Sequence, residues 1–329
     1  DGHPEKNIEI KQKLRDLERE QIFNETDFKI TTHEISRCVK KLKNKKSPGL
    51  DRILPEKYSQ HVLLPILGKY PSNWLSGYIV PIYKNGDATD PSNYRGIAIT
   101  SCIGKLFNMI INERLIKYFD KHDVISNKQI GFKKKHRASD HMFVLNAIIN
   151  KYLSKGKKLY CCFVDLQKAF DTVNRTKLIY KLKQTGIGTL LFNVIKDMYI
   201  GGKATLSVKI GHVLSGMFKS DIGVYQGDVL SPILFNMYID DVTQQFDSKC
   251  DPATIGDMHV SSLLYADDIV LLSTTEEGLQ SSVHKLSAFC KEWDLKINVS
   301  NTTVIVFNRG GKLINIKIKL DGQVLESAE

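Results

Sequence analysis

The stretch that most restricts what this chain can fold into is Leu263-Leu264-Tyr265-Ala266-Asp267-Asp268-Ile269-Val270-Leu271-Leu272. Two apolar runs flank a pair of adjacent acids, which predicts a tight β-hairpin with both carboxylates at its tip. One Asp there would say little, because its side chain bonds the local backbone in many turns. Two adjacent acids between strands of buried type ask for more. Like charges this close raise each other's pKa unless a cation lies between them. Hard oxygen ligands of this kind suit Mg²⁺, so the hairpin reads as a metal-holding device.

A third acid completes such a device. The run Leu159-Tyr160-Cys161-Cys162-Phe163-Val164 is apolar throughout and ends in Asp165, as a central strand of a covered sheet does. Two metal ions held by Asp165, Asp267 and Asp268 would clamp the attacking and leaving oxygens of an in-line displacement. The plainer reading, that Asp165 merely ends a strand, weighs equally on that segment alone. Between these segments lies Gly223-Val224-Tyr225-Gln226-Gly227-Asp228, followed by Ser231-Pro232. Ser231 suits an N-cap and Pro232 a first helical position. An acid-ended strand, a Gln-Gly turn before a helix and an Ala-Asp-Asp hairpin, in that order, resemble the sequence of a polymerase palm.

With these motifs together, the chain resembles the reverse transcriptase domain of non-LTR (LINE-type) retrotransposons. The match runs from about residue 40 onward and includes Ser47-Pro48-Gly49-Leu50-Asp51, Ile79-Val80-Pro81-Ile82-Tyr83-Lys84, Asn93-Tyr94-Arg95-Gly96 and Gln129-Ile130-Gly131-Phe132. The resemblance implies an α+β right-hand polymerase. Fingers with an N-terminal helical segment would occupy 1–155. A palm of antiparallel sheet with helices packed on one face would occupy 156–329, the primer grip and thumb lying beyond the chain. The implied activity is RNA-directed DNA synthesis: addition of dNTPs to a primer 3′-hydroxyl on an RNA template by two-metal phosphoryl transfer. Asp165, Asp267 and Asp268 would be the catalytic metal ligands, for two Mg²⁺ ions or Mn²⁺ in their place. Phe170 would press on the sugar of the incoming nucleotide and reject a 2′-hydroxyl; without the motif it is an ordinary core Phe. Gln226 and Gly227 would meet the nascent base pair; otherwise they are turn residues. Lys84 and Arg95 would grip the triphosphate; as isolated residues they are surface charge. Asp171 reads as structural, and Asp240 with Asp241 as a solvated helix end. Implied partners are the RNA template, the DNA primer and dNTPs, with an endonuclease domain upstream in the parent polyprotein. An intracellular setting, in the nucleus and in cytoplasmic ribonucleoprotein, follows from the family.

The chain departs from the family pattern at several places. Only Gly68 and Lys69 stand between Leu63-Leu64-Pro65-Ile66-Leu67 and Tyr70, where the family has a longer helical insert. Arg52 stands where a Gly is preferred. Asn301 replaces the Lys of an Asn-x-x-Lys-Thr motif, a candidate acid for the leaving pyrophosphate, and Asn cannot act as an acid. These departures keep open a decayed or domesticated copy that binds RNA without polymerising. An RNA-dependent RNA polymerase is a further alternative, opposed by Phe170 and by Tyr94-Arg95-Gly96.

Composition agrees with a nucleic-acid partner. Lys and Arg exceed Asp and Glu by 11, which favours polyanions. Two clusters concentrate the charge, one over Lys40, Lys41, Lys43, Lys45 and Lys46, the other over Lys133, Lys134, Lys135, His136 and Arg137. Beside glycines they suit loops that present cations to phosphate. The 6 cysteines show no zinc-ligand spacing, and Cys161 with Cys162 read as small core residues. No apolar stretch is long enough to span a membrane and no signal peptide is recognisable; an address before Asp1 would lie outside the sequence. Periodicity predicts helices over 5–23, 33–43, 103–119, 146–153, 175–184 and 275–293, the last with Leu279, Val283, Leu286 and Cys290 inward and a capping box from Thr274 to Glu277. Strands are expected over 205–210 and 213–219, joined at Gly211-His212, and over 296–298 and 303–307.

Overall fold

The computed structural model describes residues 4–42, 47–51, 53, 69–201, 205–246, 248–311 and 314–328. Lys43, Lys45 and Lys46 of the first basic cluster, Arg52, and the stretch from Leu63 to Gly68 lie outside the described residues. The helices are α1 (Pro4–Glu18), α2 (Thr32–Lys41), α3 (Cys102–Lys121), α4 (Ala138–Ser154), α5 (Ala169–Thr172), α6 (Arg175–Gln184), α7 (Thr189–Lys196), α8 (Ser231–Ile239) and α9 (Glu276–Glu292). The strands are β1 (Gly77–Tyr83), β2 (Tyr94–Ile99), β3 (Leu159–Val164), β4 (Thr205–Ile210), β5 (Val213–Leu214), β6 (Phe218–Lys219) and β7 (Ala253–Ile255). They continue with β8 (Met258–Val260), β9 (Ser262–Tyr265), β10 (Asp268–Ser273), β11 (Thr303–Phe307), β12 (Lys319–Leu320), β13 (Gln323–Val324) and β14 (Glu326–Ser327). They form two compact units interleaved along the chain. One takes Ile125–Thr172 and Phe235–Glu329, the other Pro4–Val124 and Val173–Leu234.

The first unit is built on a sheet of order β14-β11-β3-β10-β9. Strand β3 is central because its residues are apolar toward both faces, and Leu159, Cys161, Cys162 and Val164 are all buried. The Leu159 and Cys161 face packs on Ile148 and Tyr152 of α4. On the opposite face, Tyr160 lies near Glu276 and Glu277 at the start of α9. Helices therefore cover both sides of this sheet, antiparallel except for β14, which joins β11 in parallel, where the sequence suggests one side. A strand apolar on both faces requires that second cover. Leu279, Val283, Leu286 and Cys290 of α9 are buried as their spacing predicts. Its N-cap is Thr275, which accepts from the Gly278 N–H, one residue later than the capping box expected at Thr274. The expected strand over 296–298 reduces to a single bridge between Leu166 and Ile297.

The second unit carries a sheet of order β2-β1-β4-β5, with β6 also on β4. Strands β1 and β2 are antiparallel, while β4 joins β1 in parallel. Helix α3 supplies much of this core through Leu106, Phe107, Ile110, Ile111 and Leu115. Arg114 on the same helix is buried, and its guanidinium donates to the carbonyls of Thr26, Phe28 and Lys29 and to Glu34. One cation thus ties the segment leading into α2 to α3. Helix α1 adds Ile10 and Leu14, one turn apart and both buried. Among the described residues no helix is long and apolar enough to cross a membrane.

Candidate active site

The hairpin forms as its pattern requires. Strands β9 and β10 are antiparallel with Asp268 opposite Tyr265, so Ala266 and Asp267 make the turn. Asp267 is thus at the tip, and Asp268 is the first residue of β10. Strand β10 also pairs with β3, Ile269 facing Val164. One step further along this register come Asp165 and Asp268. Two acids separated by about a hundred residues of chain therefore stand at matching strand ends. The Asp268 carboxyl is pushed above the ordinary carboxylate range, by partial desolvation first and by the Asp165 charge second. Among the described residues no three His, Cys, Asp or Glu side chains gather closely enough to hold a metal ion. The structure brings together Asp165 and Asp268, with Asp267 adjacent in the turn rather than in a finished three-acid cluster. Three converging carboxylates repel one another, which opposes closer assembly by the side chains alone.

The tip is held from behind by Gln129, which is fully buried. Its Oε1 accepts from the Ala266 and Gly131 N–H groups at 2.9 Å each, and its Nε2 donates to the Ala266 carbonyl at 3.1 Å. Ala266 adopts φ 57°, a left-handed conformation that an Ala takes only when its surroundings hold it there. Gly131 is required beside it, since a Cβ at that position would lie 2.2 Å from the Ala266 nitrogen. Asp165 is held from another side. Its Oδ2 accepts from the side-chain amides of Asn298 and Asn301, each at 2.9 Å. Sequence reasoning had Gln129, Gly131 and Asn298 only as motif members and Asn301 as a missing acid. The spacing of the Gln-Ile-Gly-Phe motif was the available signal for the first two. Nothing local in the sequence pairs Asn298 or Asn301 with an acid more than 130 residues earlier.

Phe170 follows Asp165 on α5, half-buried. Its ring stacks on Phe235 at 4.7 Å and meets Phe132 edge-on at 6.4 Å. Asp171 is exposed beside it and has a partner of its own. Asp240 corrects the expectation of a solvated helix end. It is buried, accepts from both the N–H and the hydroxyl of Ser126, and burial pushes its carboxyl upward. In the basic loop, Lys133 donates to the carbonyls of Ile125 and Ser126, while Lys134, Lys135, His136 and Arg137 are exposed.

In the second unit, Lys84 and Arg95 are both exposed. The β1–β2 register sets Arg95 opposite Ile82, and Lys84 is two residues beyond Ile82, so both cations belong to one face of that hairpin. The Gln226 carbonyl accepts from the Ala98 N–H at 2.8 Å. Gly227 has φ 97°, and a Cβ there would press on Ile97 and Ala98. The turn is thereby fixed against β2. Ser231 begins α8 but does not cap it in the expected way; its hydroxyl donates to the Tyr225 carbonyl.

Paired strand ends carrying acids, with a Gly-requiring turn and a cationic hairpin, agree with what comparison with known proteins finds. Residues 82–318 match the family model described as reverse transcriptase (RNA-dependent DNA polymerase). The chain is 28% identical over 320 residues to the RNA-directed DNA polymerase from mobile element jockey of Drosophila melanogaster, covering 88% of this chain and 33% of that protein. It is 28% identical over 252 residues to the Pol polyprotein from type-1 retrotransposable element R2 of Nasonia vitripennis, covering 77% of this chain and 24% of that one. The chain thus spans a third or less of these relatives. Among solved structures, telomerase from Candida tropicalis in complex with a fragment of telomeric RNA shares the fold. The TM-score is 0.54 at 15% identity, over 76% of this chain and 44% of that one. A family model that matches from strand β1 through the Asp-Asp hairpin to the segment after β11 covers most of the elements described above, and the chain belongs to the reverse transcriptase (RNA-dependent DNA polymerase) family.

Proposed function

We propose that this chain is the polymerase domain of a non-LTR retrotransposon, adding dNTPs to a primer 3′-hydroxyl along an RNA template. The observation that carries the reading is that Asp165 and Asp268 flank the Val164–Ile269 pair of β3 and β10, near enough for the Asp165 charge to act on Asp268. Carboxylate oxygens of Asp165, Asp268 and the adjacent Asp267 are the donor type that Mg²⁺ prefers. The upward push on Asp268 from Asp165 marks a charge pair that a cation would relieve. The donor chemistry of these residues therefore suits Mg²⁺, two ions on this reading, with Mn²⁺ as an alternative. When bound, such ions stabilise charge on the attacking and leaving oxygens of an in-line displacement.

The chain's own side chains supply position and selection. Phe170, fixed by Phe132 and Phe235, presents a rigid edge that excludes a 2′-hydroxyl. Arg95 offers a bidentate fork to phosphate and Lys84 a compact charge. Gln226 and Gly227 offer a fixed turn to the nascent base pair. On this reading residues 1–155 serve as fingers and 156–329 as palm, and the protein works inside the cell in ribonucleoprotein and nucleus, as part of a longer polyprotein with an endonuclease.

The test is Mg²⁺-dependent extension of a DNA primer on an RNA template by the 329-residue chain. Extension that Asp268→Asn abolishes, with RNA binding retained, is the expected outcome. RNA binding without extension in the parent chain would favour a copy that binds RNA and no longer polymerises. Preferential use of rNTPs would favour an RNA-dependent RNA polymerase.

A further inference from the structure

Residues 296–302 wrap around Asp165 more closely than a neighbouring turn needs to. The Gln167 N–H donates to the Lys296 carbonyl and the Asn298 N–H to the Asp165 carbonyl, each at 2.8 Å. The Asp165 N–H reaches the Thr302 hydroxyl at 3.4 Å, and that hydroxyl donates to the Asn298 carbonyl at 2.8 Å. With the backbone fixed in this way, Val299–Asn301 form one 3₁₀ turn. Residues three apart eclipse one another in such a turn, so Asn298 and Asn301 project toward the same place. Both amides end on the same atom, Oδ2 of Asp165, at 2.9 Å. The Ser300 hydroxyl donates to Asn298 Oδ1 at 2.8 Å, which fixes that amide with its NH₂ toward Asp165.

A carboxylate oxygen has two lone-pair sites. Two amide donors fill those of Oδ2 and leave Oδ1 as the free face of Asp165. Amides are neutral, so they orient the carboxylate while leaving its charge for a cation. A Lys in place of Asn301 would orient the group too, but would cancel that charge. We propose that Asn298 and Asn301 are positioning residues that lock Asp165 Oδ2 and present Oδ1 to a divalent metal. Asn301 is then the second half of an amide clamp, rather than the vacancy left by a lost acid. This inference rests on the reading of Asp165 as a metal ligand, and the experiment separates the two.

Mn²⁺ is titrated into the 329-residue chain and free Mn²⁺ is followed by electron paramagnetic resonance. The expected result is that Asp165→Asn loses the site. Asn298→Ala and Asn301→Ala should each weaken Mn²⁺ binding about tenfold, as loss of a group that orients a metal ligand typically does. Asn301→Lys should weaken it further, through the added positive charge. Asn301 is exposed, so its Ala variant folds even where Asn298→Ala does not, and it carries the test alone if necessary. A second readout is the Mg²⁺ dependence of single-nucleotide incorporation. Asn301→Ala should need about tenfold more Mg²⁺ yet recover the parent rate at saturation. Parent-like Mn²⁺ affinity in Asn301→Ala, or a rate deficit that persists at saturating Mg²⁺, overturns the positioning role while Asp165 keeps its own. Parent-like affinity in Asp165→Asn removes the ligand itself, and the clamp with it.

Discussion

Gln129 shows how much of the Asp-Asp hairpin depends on a residue buried behind it. Its side chain satisfies the N–H and C=O of Ala266 and the N–H of Gly131 inside the protein. Removing it leaves those buried groups unpaired, at about 1–3 kcal/mol each. Gln129→Ala is accordingly expected to lower stability by about 3 kcal/mol or more, read by urea unfolding. It should also speed hydrogen exchange at Ala266 before the rest of the sheet. A Phe170→Ala variant should raise rNTP use relative to dNTP in single-nucleotide incorporation, since the ring is held by two others and has no slack to fill the gap. An unchanged preference would make Phe170 a plain core aromatic. At this scale the sequence was readable where charge repels charge. The approach of Asp165 to Asp268 is legible because acids at apolar strand ends are costly. The burial of Asp240 is not, because whether an acid at a helix end faces water or Ser126 depends on chain more than a hundred residues away.

Elements were legible wherever periodicity and breakers agree. Helix α6 spans Arg175–Gln184 as predicted, ended by Gly186 with φ 75°. Helix α4 begins at Ala138, eight residues earlier than its apolar pattern. There Asp140 accepts from the Arg137 N–H and starts the helix with exposed residues such as Met142 and Phe143. Burial patterns cannot reveal a helix end that is not buried. The entry to α2 combines two devices: Thr31 and Glu34 form a capping box, and Glu34 also accepts from Arg114 of α3. Burial raises the Glu34 carboxyl, but the Arg114 guanidinium and the Thr31 donors outweigh it and hold the group at about 2. A carboxyl depressed in the folded state stabilises fully above its unfolded value of about 4.3 and loses that contribution as pH falls toward about 2. Glu34→Gln should therefore cost on the order of 3 kcal/mol at pH 7. The gap to the parent should close as denaturation is repeated from pH 5 down to pH 2. A gap that stays constant across that range would mean the ion pair contributes nothing. Thr275→Ala at the start of α9 should cost about 1 kcal/mol in thermal or urea unfolding, the usual effect of a lost cap.

For the whole molecule, the excess of 11 positive charges sets how binding responds to salt. Each phosphate neutralised on a single strand contributes about −0.7 to the slope of log affinity against log salt. Lys134 and Lys135 are exposed on the basic loop, so replacing both with Ala should flatten that slope by about 1.4 in an RNA titration. No change would return this loop to ordinary solvated charge. The interleaving of the two units has a consequence for synthesis on the ribosome. Strand β3, apolar on both faces, is complete at Val164, whereas its partners β10 and β11 begin at Asp268 and Thr303. At roughly 5–20 residues per second, the intervening hundred residues take about 5–20 s to emerge. Throughout that interval the nascent chain carries a finished, sticky strand with no neighbour. The strand that ends in Asp165 is thus also the segment for which a folding chaperone at the exit tunnel matters most.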